Sequence, residues 1–410
     1  MTQDARTQLE ILRSEAAAKG LIHRIHALVD RPTALMEVCG THTVTISRWG
    51  LRSLMPPGLR LLSGPGCPVC VTPLSEIDRA IEAARVPGAI VATFGDMMRV
   101  PGSTTTLDSE RARGADVRIV LSALEALRIA RAHPSREVVF VGVGFETTSP
   151  GIAATVLAAE RDGVRNFSVF PFFKLVPPAL GMLARVPGRT LDGFICPGHV
   201  SVIIGSAAYE PIAGGFGIPC VVAGFEPVDV LEAIVMLLEQ VRGVREGGAR
   251  ASVETQYRRA VTAGGNRRAQ ELLGEVFEVR DAEWRGIGPI AASGYGFRER
   301  FRPFDAGARF RIPATTAGDA AGCICGDIML GRRTPPECGL FATRCTPRDP
   351  VGPCMVSSEG ACAAFYRYER GGARVATGAP AAAGEHGAPA GKDDAAAGSG
   401  RRSPGSDSDA

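Results

Sequence analysis

Residues 34–43 read ALMEVCGTHT, a short apolar run that leads into a cysteine, a glycine and a histidine. Similar apolar runs recur along the chain, separated by segments of helix length. This alternation predicts βαβ units and therefore parallel sheets in an α/β fold. The runs predicted to be strands are Ala34–Val38, Leu59–Ser63, Ala89–Phe94, Val117–Leu121, Val138–Val143, Phe167–Pro171, Gly193–Cys196 and Pro219–Ala223.

Eight such strands predict two α/β domains with parallel sheets, followed by a cysteine-rich C-terminal domain. We expect domain I at 28–133 and domain II at 134–242, with the seam at His133-Pro134-Ser135. The C-terminal domain would span 243–370, and 248–310 reads as helix-rich and then irregular.

The two ends of the chain and one internal helix have clear signals of their own. Residues 1–27 predict one helix, which we expect to pack on the C-terminal domain. A second helix should begin at Pro227, because proline is favoured in a first turn. Residues 371–410 are rich in alanine, glycine, serine and proline and contain no aromatic residue, so they predict a disordered tail.

Composition excludes several classes of function. The chain has 410 residues, of which 45% are apolar and 22% charged, and its net charge of +3 is too small to indicate nucleic-acid binding. It has no apolar run long enough to span a membrane, and its first residues lack the apolar core of a signal peptide. We therefore expect a cytoplasmic protein, whose clustered cysteines favour metal or redox chemistry over structural disulfides.

Four predicted strands run directly into loops with chemically distinctive residues. These loops contain Cys39-Gly40-Thr41-His42, Cys67-Pro68-Val69-Cys70, Glu146-Thr147-Thr148 and Cys196-Pro197-Gly198-His199. Ligands bind at the carboxyl ends of strands in open parallel sheets, so the four loops predict a site at that edge.

Each loop also has a plainer interpretation. Cys39 and His42 are good ligands for Fe(II), or else a buried cysteine beside a capping threonine. Cys67 and Cys70 could close a disulfide, form half of a zinc knuckle, or simply be two buried thiols. His199 could act in acid–base chemistry or simply be a hydrogen-bonded loop residue.

One further loop and one cysteine are expected to have structural roles. The Glu146-Thr147-Thr148 loop is expected to cap a helix at its N-terminus. Cys220 lies in an apolar strand and is expected to belong to the core.

Six of the eleven cysteines lie between Cys323 and Cys362. Cys323, Cys338, Cys345 and Cys362 give the spacing C-x14-C-x6-C-x16-C, which leaves Cys325 and Cys354 over. The spacing lacks the paired short knuckles of structural zinc sites and so favours an iron–sulfur cluster, with zinc and a disulfide scaffold as alternatives. Spacing alone does not choose between Cys323 and Cys325 as a ligand.

Taken together, these motifs resemble the HypD family of hydrogenase maturation proteins. The resemblance extends over roughly residues 20–368. It is carried by MEVCGTHT (36–43), GPGCPVCVTP (64–73), GFETTSP (144–150), CPGHVS (196–201), GFEP (224–227), WRGIG (284–288) and the C-terminal CxCGD…PPEC…CTP…GPCMVSSEGAC segment.

The resemblance implies a scaffold for assembly of the Fe(CN)2CO unit of [NiFe] hydrogenases. Mononuclear iron, which receives CN and CO during assembly, would be held by Cys39 and by the N-terminal cysteine of a HypC-type small chaperone. Cyanide would come from HypE, with HypF upstream, and the hydrogenase large subunit would be an indirect partner. Cys67 and Cys70 are further candidate metal ligands.

The resemblance also implies the redox equipment of the scaffold. One [4Fe–4S] cluster in the C-terminal iron–sulfur domain would be bound by Cys323, Cys338, Cys345 and Cys362. The thiol pairs Cys67–Cys70 and Cys325–Cys354 would be redox-active, and His42 would act with Cys39.

Such a protein is a metallocentre assembly scaffold, and not a conventional turnover enzyme. Two other functions fit the same residues. One is a cluster-linked dithiol oxidoreductase that acts on a protein disulfide. The other is a zinc-stabilised interaction protein without redox chemistry.

Overall fold

A computed structural model of the chain describes residues 10, 12–186, 191–312, 318 and 320–370. The segment expected to be disordered, 371–410, lies outside the described residues. All of the described residues belong to one compact unit.

The core of this unit contains two parallel sheets. Sheet A has the strand order β2-β1-β7-β8-β9 and sheet B the order β4-β3-β5-β6. The strands of the two sheets are β1 (Thr33–Glu37), β2 (Leu59–Ser63), β3 (Ile90–Thr93), β4 (Val117–Ile119), β5 (Val138–Gly144), β6 (Phe167–Phe173), β7 (Gly193–Pro197), β8 (Cys220–Ala223) and β9 (Val253–Thr255). The α/β fold and all eight predicted strands are confirmed. β5 and β6 are buried along nearly their whole length, as strands covered on both faces must be.

The strands are grouped differently from the predicted domains. β1 pairs with β7, and β3 pairs with β5, so each sheet combines strands from 28–133 and 134–242. The chain begins sheet A, builds all of sheet B, and then returns to complete sheet A. His133, at the predicted seam, only ends the helix that connects β4 to β5. Chain order identifies elements but not the long-range pairing that closes each sheet.

Helices connect the strands and cover both sheets. Their bounds are α1 (Glu15–Leu28), α2 (Gly40–Arg48), α3 (Leu51–Leu54), α4 (Pro68–Val71), α5 (Leu74–Ala84), α6 (Leu107–Ala112), α7 (Ala123–Ala132), α8 (Ser149–Arg161), α9 (Val176–Arg185), α10 (Gly198–Ile204), α11 (Glu210–Phe216), α12 (Pro227–Arg245), α13 (Arg267–Val276), α14 (Ala306–Phe310), α15 (Cys325–Met329), α16 (Pro353–Val356) and α17 (Ala361–Tyr368). The predicted helix start at Pro227 is confirmed.

The N-terminal helix packs elsewhere than expected. Within the described residues α1 begins after Ser14, whose hydroxyl accepts a hydrogen bond from the Ala17 amide. It packs on α12, where its Ile25 joins the apolar cluster beneath sheet A and Arg24 pairs with Glu239. Its apolar face is therefore buried against sheet A's own helix, and not against the C-terminal segment.

The region 248–310 is also more regular than predicted. It contains β9 and an antiparallel hairpin of β10 (Phe277–Trp284) and β11 (Gly288–Phe297). The cysteine-rich segment that follows does not form a separate unit: Cys325, Met329 and Cys354 belong to the same apolar cluster as strands of both sheets. No helix among the described residues is long and apolar enough to cross a membrane.

Candidate functional site

Cys39 lies at the carboxyl end of β1 and caps the start of α2. Only 8% of its surface is exposed. Burial and the nearby Glu359 carboxylate raise the pKa of the Cys39 thiol to about 12. The backbone is fixed by Glu37, whose Oε2 accepts a hydrogen bond from the Cys39 amide at 3.1 Å. In this conformation Cys39 is a protonated, covered thiol.

Cys67 and Cys70 follow the neighbouring strand β2 and lie against the Cys39 loop. The Gly40 amide donates to the Gly66 carbonyl at 2.8 Å. A side chain on Gly66 would overlap the backbone of Cys39, so only glycine permits this approach. Cys67 caps the short helix α4, where its Sγ accepts from the Cys70 amide at 3.3 Å. The two loops therefore form one surface, as their position at adjacent strand ends predicts.

Cys70 has a different electrostatic environment from Cys39. Burial opposes its ionisation, but hydrogen bonds from Cys354 and Cys67 and the charge of Arg285 outweigh that effect and lower the Cys70 pKa to about 6. Burial and the hydrogen bond to Cys70 raise the pKa of Cys67. At neutral pH Cys70 is thus the thiolate of the pair, which is the nucleophilic form.

A second thiol pair comes from the C-terminal segment. Cys325 at the start of α15 and Cys354 in α16 have sulfur atoms 2.8 Å apart as free thiols. Hydrogen bonds with Cys325, Cys362 and Cys70, together with burial, raise the pKa of Cys354. Cys354 therefore contacts its own partner, Cys325, and also Cys70 of the other thiol pair.

The remaining four cysteines of the segment line one small cavity. Cys323, Cys338, Cys345 and Cys362 surround it together with Cys325 and Cys354, and its apolar lining is Ile328, Leu340, Phe341 and Met355. Burial raises the pKa of Cys323 to about 12 and also raises that of Cys345. These sulfurs are unfavourable as free thiolates, and a bound metal would stabilise the ionised form.

The cysteines around this cavity are a donor set that an iron–sulfur cluster or zinc would use. Among the described residues, no group of three or more His, Cys, Asp or Glu side chains is arranged to hold a single metal ion.

His42 does not face the same way as Cys39. Its Nε2 contacts the Gly224 carbonyl at 2.8 Å, and its ring stacks on Phe225 at 5.0 Å. Burial lowers the pKa of His42 to about 4, so the ring is neutral. The exposed His199 also stacks on Phe225, and their ring centroids are 3.8 Å apart. His42 therefore supports the loop, and the structure does not bring it to the thiols.

Two other predicted residues have structural positions. Glu146 caps the N-terminus of a helix, as predicted: its Oε1 accepts a hydrogen bond from the amide of Val176, the first residue of α9, at 2.9 Å. Burial raises the pKa of Glu146 to about 7. Cys220 is fully buried in β8, which confirms that it belongs to the core.

Several residues next to the thiols lie within motifs that carry the family resemblance, but no role was predicted for them individually. Arg285 follows β10, and its amide donates to the Val71 carbonyl at the end of α4. Ser357 and Glu359 connect the cysteine-rich segment to Asp96 and Thr41, respectively. Single polar residues of common types become recognisable only when the fold places them beside cysteines.

Comparison with known proteins places the chain in a family. Residues 16–369 match the family model HypD, described as "Hydrogenase formation hypA family". The chain belongs to the HypD family of hydrogenase maturation factors. It is 48% identical to the hydrogenase maturation factor HypD of Azotobacter vinelandii over 367 residues, which is 87% of this chain and 96% of that protein.

Other HypD proteins give the same result. Identity is 46% over 376 residues with the Rhodobacter capsulatus factor, covering 89% of this chain and 98% of the relative. It is 46% over 342 residues with the Escherichia coli factor, covering 83% and 90%. The match to the HypD family model includes every cysteine of the chain, and 371–410 lies outside it.

Proposed function

We propose that this HypD protein is the scaffold on which the Fe(CN)2CO unit of [NiFe] hydrogenases is assembled. The observation that carries the proposal is the meeting of three thiol motifs. The Cys39 loop touches the Cys67–Cys70 loop through Gly66, and Cys70 contacts Cys354. A soft iron ligand and two dithiol pairs thereby lie in one contiguous region.

The substrate iron would be bound by Cys39 together with the N-terminal cysteine of a HypC-type chaperone. Cys67 and Cys70 are alternative ligands on the same surface. HypE would deliver cyanide as a thiocyanate, and HypF would act upstream of it. Cyanide transfer from a thiocyanate requires electrons, and the adjoining thiols can supply them.

Contact between Cys354 and Cys70 supports a direct exchange between the two pairs. The Cys354 sulfur would attack Cys70 of a Cys67–Cys70 disulfide, and the proton of Cys354 would pass to the departing Cys67 sulfur, whose raised pKa favours the thiol. The Cys325 thiolate would then attack Cys354 and release Cys70. Two electrons pass to the Cys67–Cys70 pair, and Cys325–Cys354 becomes the disulfide.

A [4Fe–4S] cluster bound by Cys323, Cys338, Cys345 and Cys362 would supply one-electron transfer. Anaerobic analysis of the purified chain should give about four iron and four sulfide per molecule. Serine at Cys338 should abolish both, whereas serine at the core residue Cys220 should change neither. Colourless protein with stoichiometric zinc would contradict the cluster and favour a zinc-stabilised interaction protein.

A cluster-linked dithiol oxidoreductase is the second candidate, and the same Cys70–Cys354 contact favours it. The two functions differ at Cys39, because a reductase of protein disulfides needs no iron ligand there. Loss of hydrogenase maturation in Cys39→Ala, with disulfide exchange between the two pairs intact, would separate the scaffold from the reductase.

A further inference from the structure

The segment between Cys354 and Cys362 is linked to both sheets. Its Ser357 hydroxyl donates to Asp96 Oδ2 at 2.9 Å and accepts from the Glu359 amide at 3.3 Å. Ser357 is buried. Asp96 is exposed, in the helical turn that follows the carboxyl end of β3 in sheet B. One serine therefore connects the cysteine-rich segment to sheet B and also fixes the backbone at Glu359.

Glu359 in turn lies against the Cys39 loop of sheet A. Its Oε1 accepts from the Thr41 hydroxyl at 2.9 Å. A side chain on Gly40 would come within 2.9 Å of the Glu359 carbonyl and 3.0 Å of its carboxylate, so the two segments are in tight contact. Glu359 thus covers the loop directly beside a thiol that is 8% exposed.

We propose that Ser357 and Asp96 are positioning residues, whose hydrogen bond holds Glu359 over the Cys39 loop and keeps the Cys39 thiol closed to solutes. We name residues 357–359 the latch. The inference deepens the proposed function and rests on it for its purpose, since iron must reach Cys39. The latch itself is a property of the chain alone, with neither iron nor chaperone bound.

The Asp96–Ser357 bond is well suited to this role. It joins the exposed Asp96 carboxylate, which follows a strand of sheet B, to the buried Ser357 hydroxyl. Ser357 belongs to the C-terminal segment that contacts the Cys39 loop of sheet A. Loss of one such bond allows local opening without loss of either sheet, because neither residue contributes apolar core. A partner that displaced Asp96 from Ser357 would release Glu359 and expose Cys39.

The test is the rate at which N-ethylmaleimide modifies Cys39 in the full-length protein, reduced and kept anaerobic. Peptide mass spectrometry follows each cysteine separately. Ser357→Ala and Asp96→Ala should each raise the Cys39 rate about 2- to 10-fold, the effect expected from losing one hydrogen bond. Ser357→Thr keeps the hydroxyl and should restore the wild-type rate.

Two internal controls distinguish the latch from general loosening. Cys196 and Cys220 are fully buried in sheet A and should stay unmodified in every variant. Asp108→Ala removes another exposed aspartate and should leave the Cys39 rate unchanged. An unchanged Cys39 rate in Asp96→Ala would overturn the proposal, and so would a parallel rise at Cys196 and Cys220. Since no substrate iron is bound at Cys39 in this experiment, either result leaves the iron-scaffold function to be judged separately.

Discussion

At the scale of single residues, the surroundings of Cys39 and Cys70 favour opposite ionisation states of their thiols. Cys39 is buried beside the Glu359 carboxylate, which disfavours a second negative charge. Cys70 is equally buried but accepts hydrogen bonds from two thiols and lies near Arg285, and its thiolate is favoured. The same side chain is therefore prepared for exchange at one position and kept protonated at the other.

The first prediction concerns the ionisation of Cys70. Because its pKa is about 6, its alkylation rate by iodoacetamide should reach half its maximum near pH 6. Cys354→Ala removes a hydrogen bond to the thiolate and should move that midpoint upward, whereas Cys220→Ala should not. Mass spectrometry of the Cys70 peptide across pH 4–10 gives both midpoints. A wild-type midpoint near the ordinary thiol value of about 8.5 would contradict this electrostatic arrangement.

The second prediction concerns Glu146, a buried carboxyl with its pKa raised to about 7. A raised pKa means that folding favours the protonated form. The stability it contributes is complete below about pH 4.5 and is lost as the pH rises through 7, a change of about 3 kcal/mol. Glu146→Gln should therefore raise the melting temperature at pH 8 and change it little at pH 5.

Melting curves at the two pH values test this, with a substitution of the exposed Glu275, Glu275→Gln, as the control. Equal effects of Glu146→Gln at pH 5 and pH 8 would contradict a Glu146 pKa that is raised into this range.

The cysteines could be predicted from the sequence because few residue types bind iron or exchange disulfides. Asp96, Ser357 and Glu359 could not, since their roles depend on contacts between two sheets. The expectation that His42 acts with Cys39 came from the family resemblance, and the sequence does not show which way each side chain points. Both belong to the start of α2, but the ring of His42 turns toward Phe225.

At the scale of elements, one turn holds the helices of the two thiol pairs together. The turn after β10 bonds to the end of α4 through the Arg285 amide, and its Gly286 packs on Gly326 of α15. Gly286 has φ of 69°, and a Cβ there would lie 2.6 Å from the Gly326 Cα. The two thiol-bearing helices α4 and α15 are therefore attached to one tight turn.

A third prediction follows from this close approach. Gly286→Ala adds both backbone strain and a clash, and should lower the free energy of unfolding by about 2 kcal/mol or more. It should also reduce iron and sulfide content, because α15 contributes Cys325 and Ile328 to the cavity in which the cluster is proposed to bind. Gly274→Ala is the matched control, as Gly274 lies in α13 with nothing within 4 Å of an added Cβ.

Chemical denaturation and metal analysis measure both effects. Full stability with full cluster content in Gly286→Ala would show that the turn tolerates a side chain. Gly274→Ala should be neutral or stabilising, since alanine is favoured over glycine in a helix.

Whether a strand could be predicted depended on how clear its pattern of apolar residues is. Strands such as β5 and β6 are apolar along most of their length and were found from that signal alone. The hairpin was missed because β10 and β11 carry exposed charged and small residues between their few buried positions. β9 has three residues, all half-buried, and gives too short a pattern to recognise.

At the scale of the whole molecule, the candidate site depends on the way the chain alternates between sheets. Sheet A supplies the Cys39 and Cys67–Cys70 loops, sheet B supplies Asp96, and the C-terminal segment supplies the other thiols. The predicted domains 28–133 and 134–242 could not reveal this, because strand pairing across long separations leaves no periodic signal. The sequence motifs correctly indicate the HypD family. Only the fold shows that these motifs meet at one place.

The central claim is that Cys39 binds the iron, and infrared spectroscopy of the chain copurified with its small chaperone tests it most directly. Wild type should show cyanide and carbonyl stretches, and Cys39→Ala should show neither. The variant should keep its melting temperature and its iron–sulfur content, because one thiol at a strand end contributes little to the core. Cys220→Ala, which removes a buried thiol of the same sheet, should keep the bands. Cyanide and carbonyl bands in the Cys39→Ala complex would contradict the account and place the iron at Cys67, at Cys70 or on the chaperone alone.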